Sequence, residues 1–359
     1  MCFLFAAKGF LKEIIDIFDI SFKDVFCVAG NHDVNQNIIK QSKIIEYLQD
    51  ILVSIDTNRP DNLDKEIRKI QNDKYVEGIL YKPIANYNEH VVEMYSNYTV
   101  DRPNWVTELK LNDTYILSIY GMNSVLVSNH KDHLDKNGNR IRDTERKMII
   151  SRKQIPERKD NVIYMSLCHH PPECWNNQRL REVMDARVMI QLYGHKHIQK
   201  IEEGNNCIRI GSGALQPERG ENWIPRYNWI QVYVVNERLV VKIYPRIYEE
   251  TKGIFVVDID SCDSGKIYKE VMLNLKNDFE SDELDAEENG EKDNIEIRTT
   301  NAITKEIVYR FTILSEHDKK SVLSSYSQIN YKVDEDIDRL LKQLQENNLE
   351  KDFLEKIKN

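Results

Sequence analysis

No two of the six cysteines (Cys2, Cys27, Cys168, Cys174, Cys207, Cys262) are spaced as a CxxC pair, so thiolate metal chemistry is not indicated. Cys27 and Cys168 fall inside apolar runs, where reduced, buried thiols are expected, and this points to the cytoplasm. The opening run Cys2 to Ala7 is apolar, but no basic residue precedes it and Lys8 ends it. It is too short for a signal core or a membrane span, and no membrane anchor is expected. A basic footprint for nucleic acid is also missing. The net charge is −9, yet residues 277–294 carry nine acids and one lysine. The rest is therefore close to neutral, and the acidity belongs to one linker-like stretch. No internal repeat stands out.

What the sequence does have is histidine at the ends of apolar runs. Five of nine histidines lie in three short motifs: Gly30-Asn31-His32-Asp33, Cys168-His169-His170-Pro171-Pro172 and Gly194-His195-Lys196-His197. Turns at strand ends along one rim are where an open α/β sheet places a ligand, so the three motifs read as one site. His130, Asp132 and His133 sit in a polar loop instead, and such loop histidines are ordinarily solvated.

Along the chain, helical spacing over 8–19 leads into a strand at Val25–Ala29, and a second helix is expected from Val34 to Ile55. Residues 56–100 read as an irregular helical insertion, a lid or packing segment. Strand-like runs follow at Tyr115–Met122, Val162–Leu167, Val188–Tyr193, Cys207–Ile210, Trp229–Val235 and Leu239–Tyr244, with Ile254–Ile259 ending the regular domain. Their consecutive apolar residues suit strands covered on both faces. The expected organisation is a domain over 1–260, an acidic linker over 277–294 and an appendage over 295–359. In the appendage Glu306–Leu314 is a strand candidate. Val333, Ile337, Leu340, Leu341 and Leu344, continued by Leu349, Phe353, Leu354 and Ile357, form a helical hairpin that could pack on itself or dock another protein.

Chemically, Asn31 offers a neutral oxygen, and His169, His195 and His197 offer ring nitrogens, a mixed set suited to Mn, Fe, Zn or Co. His195 and His197, two apart on an extended segment, would point the same way and reach neighbouring ions. His32 would project beside the ligands without being one, where a general acid or charge stabiliser serves phosphoryl transfer.

In this order and in these strand contexts, the motifs resemble the calcineurin-like metallophosphoesterase superfamily, whose members carry GNHD or GNHE, a strand-end histidine and GHxH. The resemblance runs from about residue 8 to 250. Asn123-Ser124 and the Gly-Ser-Gly after Ile210 also look like that family. It implies a metallophosphoesterase-like β-sandwich flanked by helices, with a small α/β or helical appendage at the C-terminus. It further implies hydrolysis of phosphoester bonds, diesters in family type, by two divalent transition-metal ions, manganese first. Asn31, His169 and His195 would hold one ion and His197 the other. His32 would act at the phosphate or leaving group, with Asp33 and His170 as neighbours.

The family's leading Asp-x-His and Gly-Asp-x-x-Asp motifs do not occur before residue 31, and the expectation is an N-terminally shortened chain. Two dications about 4 Å apart repel strongly, since even unit charges cost ~4 kcal/mol there at an effective dielectric near 20. Without a bridging carboxylate, what is left is a single weakly held ion and impaired activity, or a non-catalytic scaffold derived from the enzyme. A polynucleotide substrate would rest on the basic run Arg140, Arg142, Arg146, Lys147, Arg152 and Lys153.

Overall fold

The apolar runs of the first half become strands because their residues have cores to face on both sides. The computed structural model describes residues 2–55, 60–132, 134, 148–177, 179–215, 224–275, 307, 311, 314–331 and 337–357. It divides into two compact units, Met1–Asn277 and Asp278–Asn359.

The first unit begins with helix α1 (Cys2–Phe18), followed by α2 (Gln36–Gln41), α3 (Lys43–Ser54), α4 (Pro60–Asn72) and α5 (Ala85–His90). The helix expected over Val34–Ile55 is broken at Ser42, whose extended backbone ends α2 and starts α3. Asn35 opens α2 by accepting from the backbone N–H groups of Asn37 and Ile38, as a capping residue does.

Ten strands follow: β1 (Asn104–Lys110), β2 (Ile116–Met122), β3 (Val162–Cys168), β4 (Ile190–Tyr193), β5 (Lys200–Glu203), β6 (Ile208–Gly211), β7 (Arg226–Val235), β8 (Arg238–Glu249), β9 (Ile254–Val257) and β10 (Lys269–Asn274), with helix α6 (Arg179–Arg187) between β3 and β4. Six form one sheet in the order β1-β2-β3-β4-β6-β5. Its four central strands are parallel and its two edges antiparallel. The second, antiparallel sheet has the order β10-β8-β7, with β9 also on β8.

Leu239, Val241 and Ile243 of β8 share a core with Leu117, Ile163, Ile190 and Ile208 of the first sheet, so the sheets form a sandwich. The other face of the first sheet, through Met122, Tyr164, Cys168 and Tyr193, packs under Leu180 and Met184 of α6. This is the metallophosphoesterase-like mixed α/β architecture that the resemblance implied.

Three expectations change. Val25–Val28 are half-buried and Ala29 is buried, and the stretch pairs with no strand among the described residues. Instead the Cys27 N–H donates to Ser96 Oγ at 3.2 Å, and Trp105 Nε1 donates to the Cys27 carbonyl at 2.8 Å. Regular structure also runs past Ile259, to β10, whose Val271 and Leu273 alternate into the core.

In the second unit, Ile307 and Phe311 are helical rather than strand, and both are buried in one cluster. The rest of Glu306–Leu314, apart from Leu314, lies outside the described residues, as do 277–294. The stripe residues Leu340, Leu341, Leu344, Phe353, Leu354 and Ile357 are buried with Ile307, Phe311 and Tyr326, so the hairpin's apolar face is spent within its own unit. Among the described residues no helix is long and apolar enough to cross a membrane.

Candidate metal centre

Register assembles the rim. Met122, Cys168 and Tyr193 are direct partners across β2, β3 and β4, so Asn123, His169 and Gly194 leave the sheet side by side. Neighbouring strands lie about 4.8 Å apart, which brings His169 and His195 together although 26 residues separate them.

Asn31 lies in a single 3-10 turn, Asn31–Asp33. Asp33 closes the turn: its Oδ2 accepts the Gly30 N–H at 2.8 Å. Burial raises the Asp33 carboxyl pKa above its ordinary range, partly countered by that hydrogen bond and by the charge of His32. Asn31 is thereby held with Oδ1 2.9 Å from His169 Nε2. The two rings of His169 and His195 sit edge to face at 5.2 Å between centroids. Gly30 has to be glycine, because a Cβ there would stand 2.8 Å from the His169 ring.

His170 is buried and lies 4.8 Å from His169 and 4.5 Å from His195, ring centre to ring centre. Ser124 Oγ accepts the His170 backbone N–H at 3.2 Å and lies 2.9 Å from its Nδ1. Trp175 Nε1 donates to the His170 carbonyl at 2.9 Å. The donor atoms of His169, His170 and His195 fall within 4.8 Å of one another.

His32 is exposed, and His197 is half-buried and outside that trio. Both act on His169 through their charge. The extended segment expected at His195–His197 is not there: both residues have left-handed backbones, φ 65 and 55, so the argument that two residues apart means one face does not apply. Non-glycine residues in that region are uncommon and cluster at functional sites. His130 instead lies 3.8 Å from Glu46, Asp132 accepts the Asn129 N–H within its own loop, and His133 is outside the described residues. Arg140, Arg142, Arg146 and Lys147 are outside them too, while Arg152 and Lys153 are exposed.

These donors fit a divalent transition metal. A separation of 2.9 Å between Asn31 Oδ1 and His169 Nε2 is a hydrogen bond without an ion, and also the spacing of two ligands about 2.1 Å from one ion at right angles. Burial, then the charges of His195, His32 and His197, push the His169 pKa down to about 3, so the ring is neutral at any ordinary pH, the form in which an imidazole can bind a metal.

That shift sets a pH dependence. Between about pH 6.5 and 3 the unfolded chain carries a proton on His169 that the native state refuses, so stability falls as the pH drops through this window. Urea unfolding in chelator is expected to lose roughly 2 kcal/mol from this group between pH 7 and pH 5. A His169→Gln variant should show a correspondingly flatter profile, and equal slopes would contradict the buried neutral ring.

Sequence reasoning noted Ser124 but gave it no role, and it missed Trp105 and Trp175. Nothing in a local pattern links a serine to a histidine 46 positions away.

A sequence model of the calcineurin-like phosphoesterase family matches residues 6–199. The comparison with curated proteins gives no match. Similar solved structures include a double mutant of Vps29 from Entamoeba histolytica, at 11% identity and TM-score 0.21, covering 47% of this chain and 61% of that one. Another is Vps29 from Chaetomium thermophilum, at 8% identity and TM-score 0.21, covering 48% and 62%. The match thus spans less than two thirds of either relative.

Proposed function

Because the chain belongs to the calcineurin-like phosphoesterase family, we propose that it is a metal-dependent hydrolase of phosphoester bonds, with diesters as its substrate class. The observation that carries this reading is the approach of Asn31 Oδ1 to His169 Nε2, 2.9 Å, with His195 alongside on the same rim. Asn31, His169 and His195 hold one ion in this reading, and His197 is the donor for a second. When bound, such ions stabilise charge on the phosphoryl oxygens and make water a competent nucleophile. The mixed nitrogen and oxygen set suits manganese, with iron, zinc or cobalt as alternatives, and the free thiols suit the cytoplasm.

The protein's own contribution is placement. Asp33 closes the turn that aims Asn31 inward and leaves His32 exposed, on the side from which substrate arrives. His32 there hydrogen-bonds a phosphoryl oxygen or delivers a proton to the leaving oxygen.

Hydrolysis of bis-p-nitrophenyl phosphate with added Mn2+ tests this. Wild type should turn over only with metal, and His32→Ala should lower kcat about 10²- to 10³-fold with Mn2+ affinity unchanged by calorimetry. A His32→Ala enzyme as fast as wild type would take His32 out of the chemistry.

One observation favours a second reading, a non-catalytic scaffold. Among the described residues no carboxylate joins His169, His170 and His195, and Asp33 is committed to Gly30. Paired dications need anionic ligands to offset their repulsion. Mn2+ binding without any turnover of the diester would be the signature of that reading, with the C-terminal unit as the element that recruits a partner.

A further inference from the structure

Next to the histidine rim lies a cavity of about 320 Å3 that the hydrolase reading leaves unused. One wall is α4, which presents Asp64, Ile67, Arg68 and Gln71. Those positions run i, i+3, i+4, i+7, a single helical face. Other walls come from Asp101, from Leu126 beyond the end of β2, and from Ile149 and Lys153 ahead of β3.

The lining is mixed, polar and charged side chains alternating with Ile67, Leu126 and Ile149, of which Ile67 and Ile149 are buried. Two cations, Arg68 and Lys153, are exposed there, and neither makes an ion pair with any described residue. Asp64 is buried, and its Oδ1 accepts the Ser151 hydroxyl at 2.6 Å, so part of its capacity is committed to the protein. Asp101 is exposed on a different wall. Burial, and after it the charge of Arg68, weakens the hold of Lys153 on its proton, and the Asp64 carboxylate partly opposes them. Both cations line the one cavity, so a bound phosphate could take charge-assisted hydrogen bonds from each.

The cavity reaches the rim. Asn123, which also lines it, follows Met122, the register partner of Cys168, and the next residue, Ser124, touches His170.

We propose that this cavity binds one nucleotide of the substrate, its phosphate on Arg68 and Lys153, its ring against Ile67, Leu126 and Ile149, and its hydroxyl or amine donors toward Asp101. The scissile phosphoester would then lie on the histidines, an assignment that rests on the hydrolase reading. The volume suits a mononucleotide, and a mixed lining, with aliphatic side chains for a ring and cations for a phosphate, matches its two-part chemistry. The insertion carrying α4 becomes the part of the chain that selects substrate.

Calorimetry on the full chain in chelator tests the cavity without any turnover. AMP should bind at least about tenfold more tightly than adenosine, since its phosphate adds charge-assisted hydrogen bonds that adenosine cannot make. An Arg68→Gln, Lys153→Gln double variant, expected to melt like wild type because both side chains are exposed, should weaken AMP at least about tenfold and leave adenosine unchanged. AMP that fails to bind, binds the variant equally, or is matched by inorganic phosphate alone overturns the proposal. If the diester is hydrolysed but AMP ignores the double variant, the nucleotide site falls and the hydrolase stands. If AMP binds through these residues and no diester is hydrolysed, the hydrolase falls and the cavity stands as a nucleotide site.

Discussion

Replacing His169 by alanine is expected to reduce Mn2+-dependent diester hydrolysis by at least about 10³-fold, because the several kcal/mol of charge stabilisation that a metal supplies go with it. No other residue meets so many parts of the centre. Its Nε2 faces Asn31 Oδ1 at 2.9 Å, its ring stands against His195, and its carbonyl accepts the Gly194 N–H at 3.1 Å. Gly30 and Gly194 both lack the Cβ that would crowd the ring. Losing it would remove one of the proposed ligands and leave Asn31 without the ring nitrogen it faces. Mn2+ affinity should fall together with kcat/KM, read by calorimetry and by the diester assay, with circular dichroism as the check on folding. A variant that keeps Mn2+-dependent turnover within tenfold of wild type would place the ion elsewhere.

Gly121→Ala should be the most destabilising single-methyl change in the first unit. The added Cβ would stand 1.7 Å from Cε2 of Trp105, inside the ring. Trp105 and Gly121 are cross-strand partners, and the indole lies over the glycine as an aromatic does where a strand needs its neighbour to have no side chain. Trp105 is 1% exposed, so it cannot swing aside without vacating the core and releasing the Cys27 carbonyl. Overpacking of this severity costs about 3 kcal/mol or more, a loss of roughly 6–12 °C in Tm for a unit of this size. Differential scanning calorimetry reads it, and a variant melting within about 2 °C of wild type would contradict the packing. Mn2+ affinity should weaken too, because Trp105 braces the segment that leads to Asn31.

The central strands were legible because Val162–Leu167 and Val188–Tyr193 are continuous apolar runs, a signal of burial on both faces. β1 and β5 were not: an alternating Asn104–Lys110 and the short Lys200–Glu203 hold few apolar residues, and only their neighbours make them strands. Val25–Ala29 shows the reverse, an apolar run that reads as strand and finds no ladder. The three histidine motifs could be joined from sequence because each ends a strand-like run, but the ring orientations depend on Ser124, Gly30 and the left-handed turns at His195 and His197. Those are contacts between distant segments or local backbone states, and neither leaves a periodic trace.

The two sides of the metal centre differ in how they are anchored. His169 and His195 follow parallel strands whose hydrogen bonds continue into the sheet. Asn31 follows an extended stretch fastened at Cys27 by one serine and one tryptophan. The position of the asparagine therefore depends on side-chain contacts, and that of the histidines on the sheet ladder. Loosening Ser96 or Trp105 would disturb the asparagine side of the site before the histidine side.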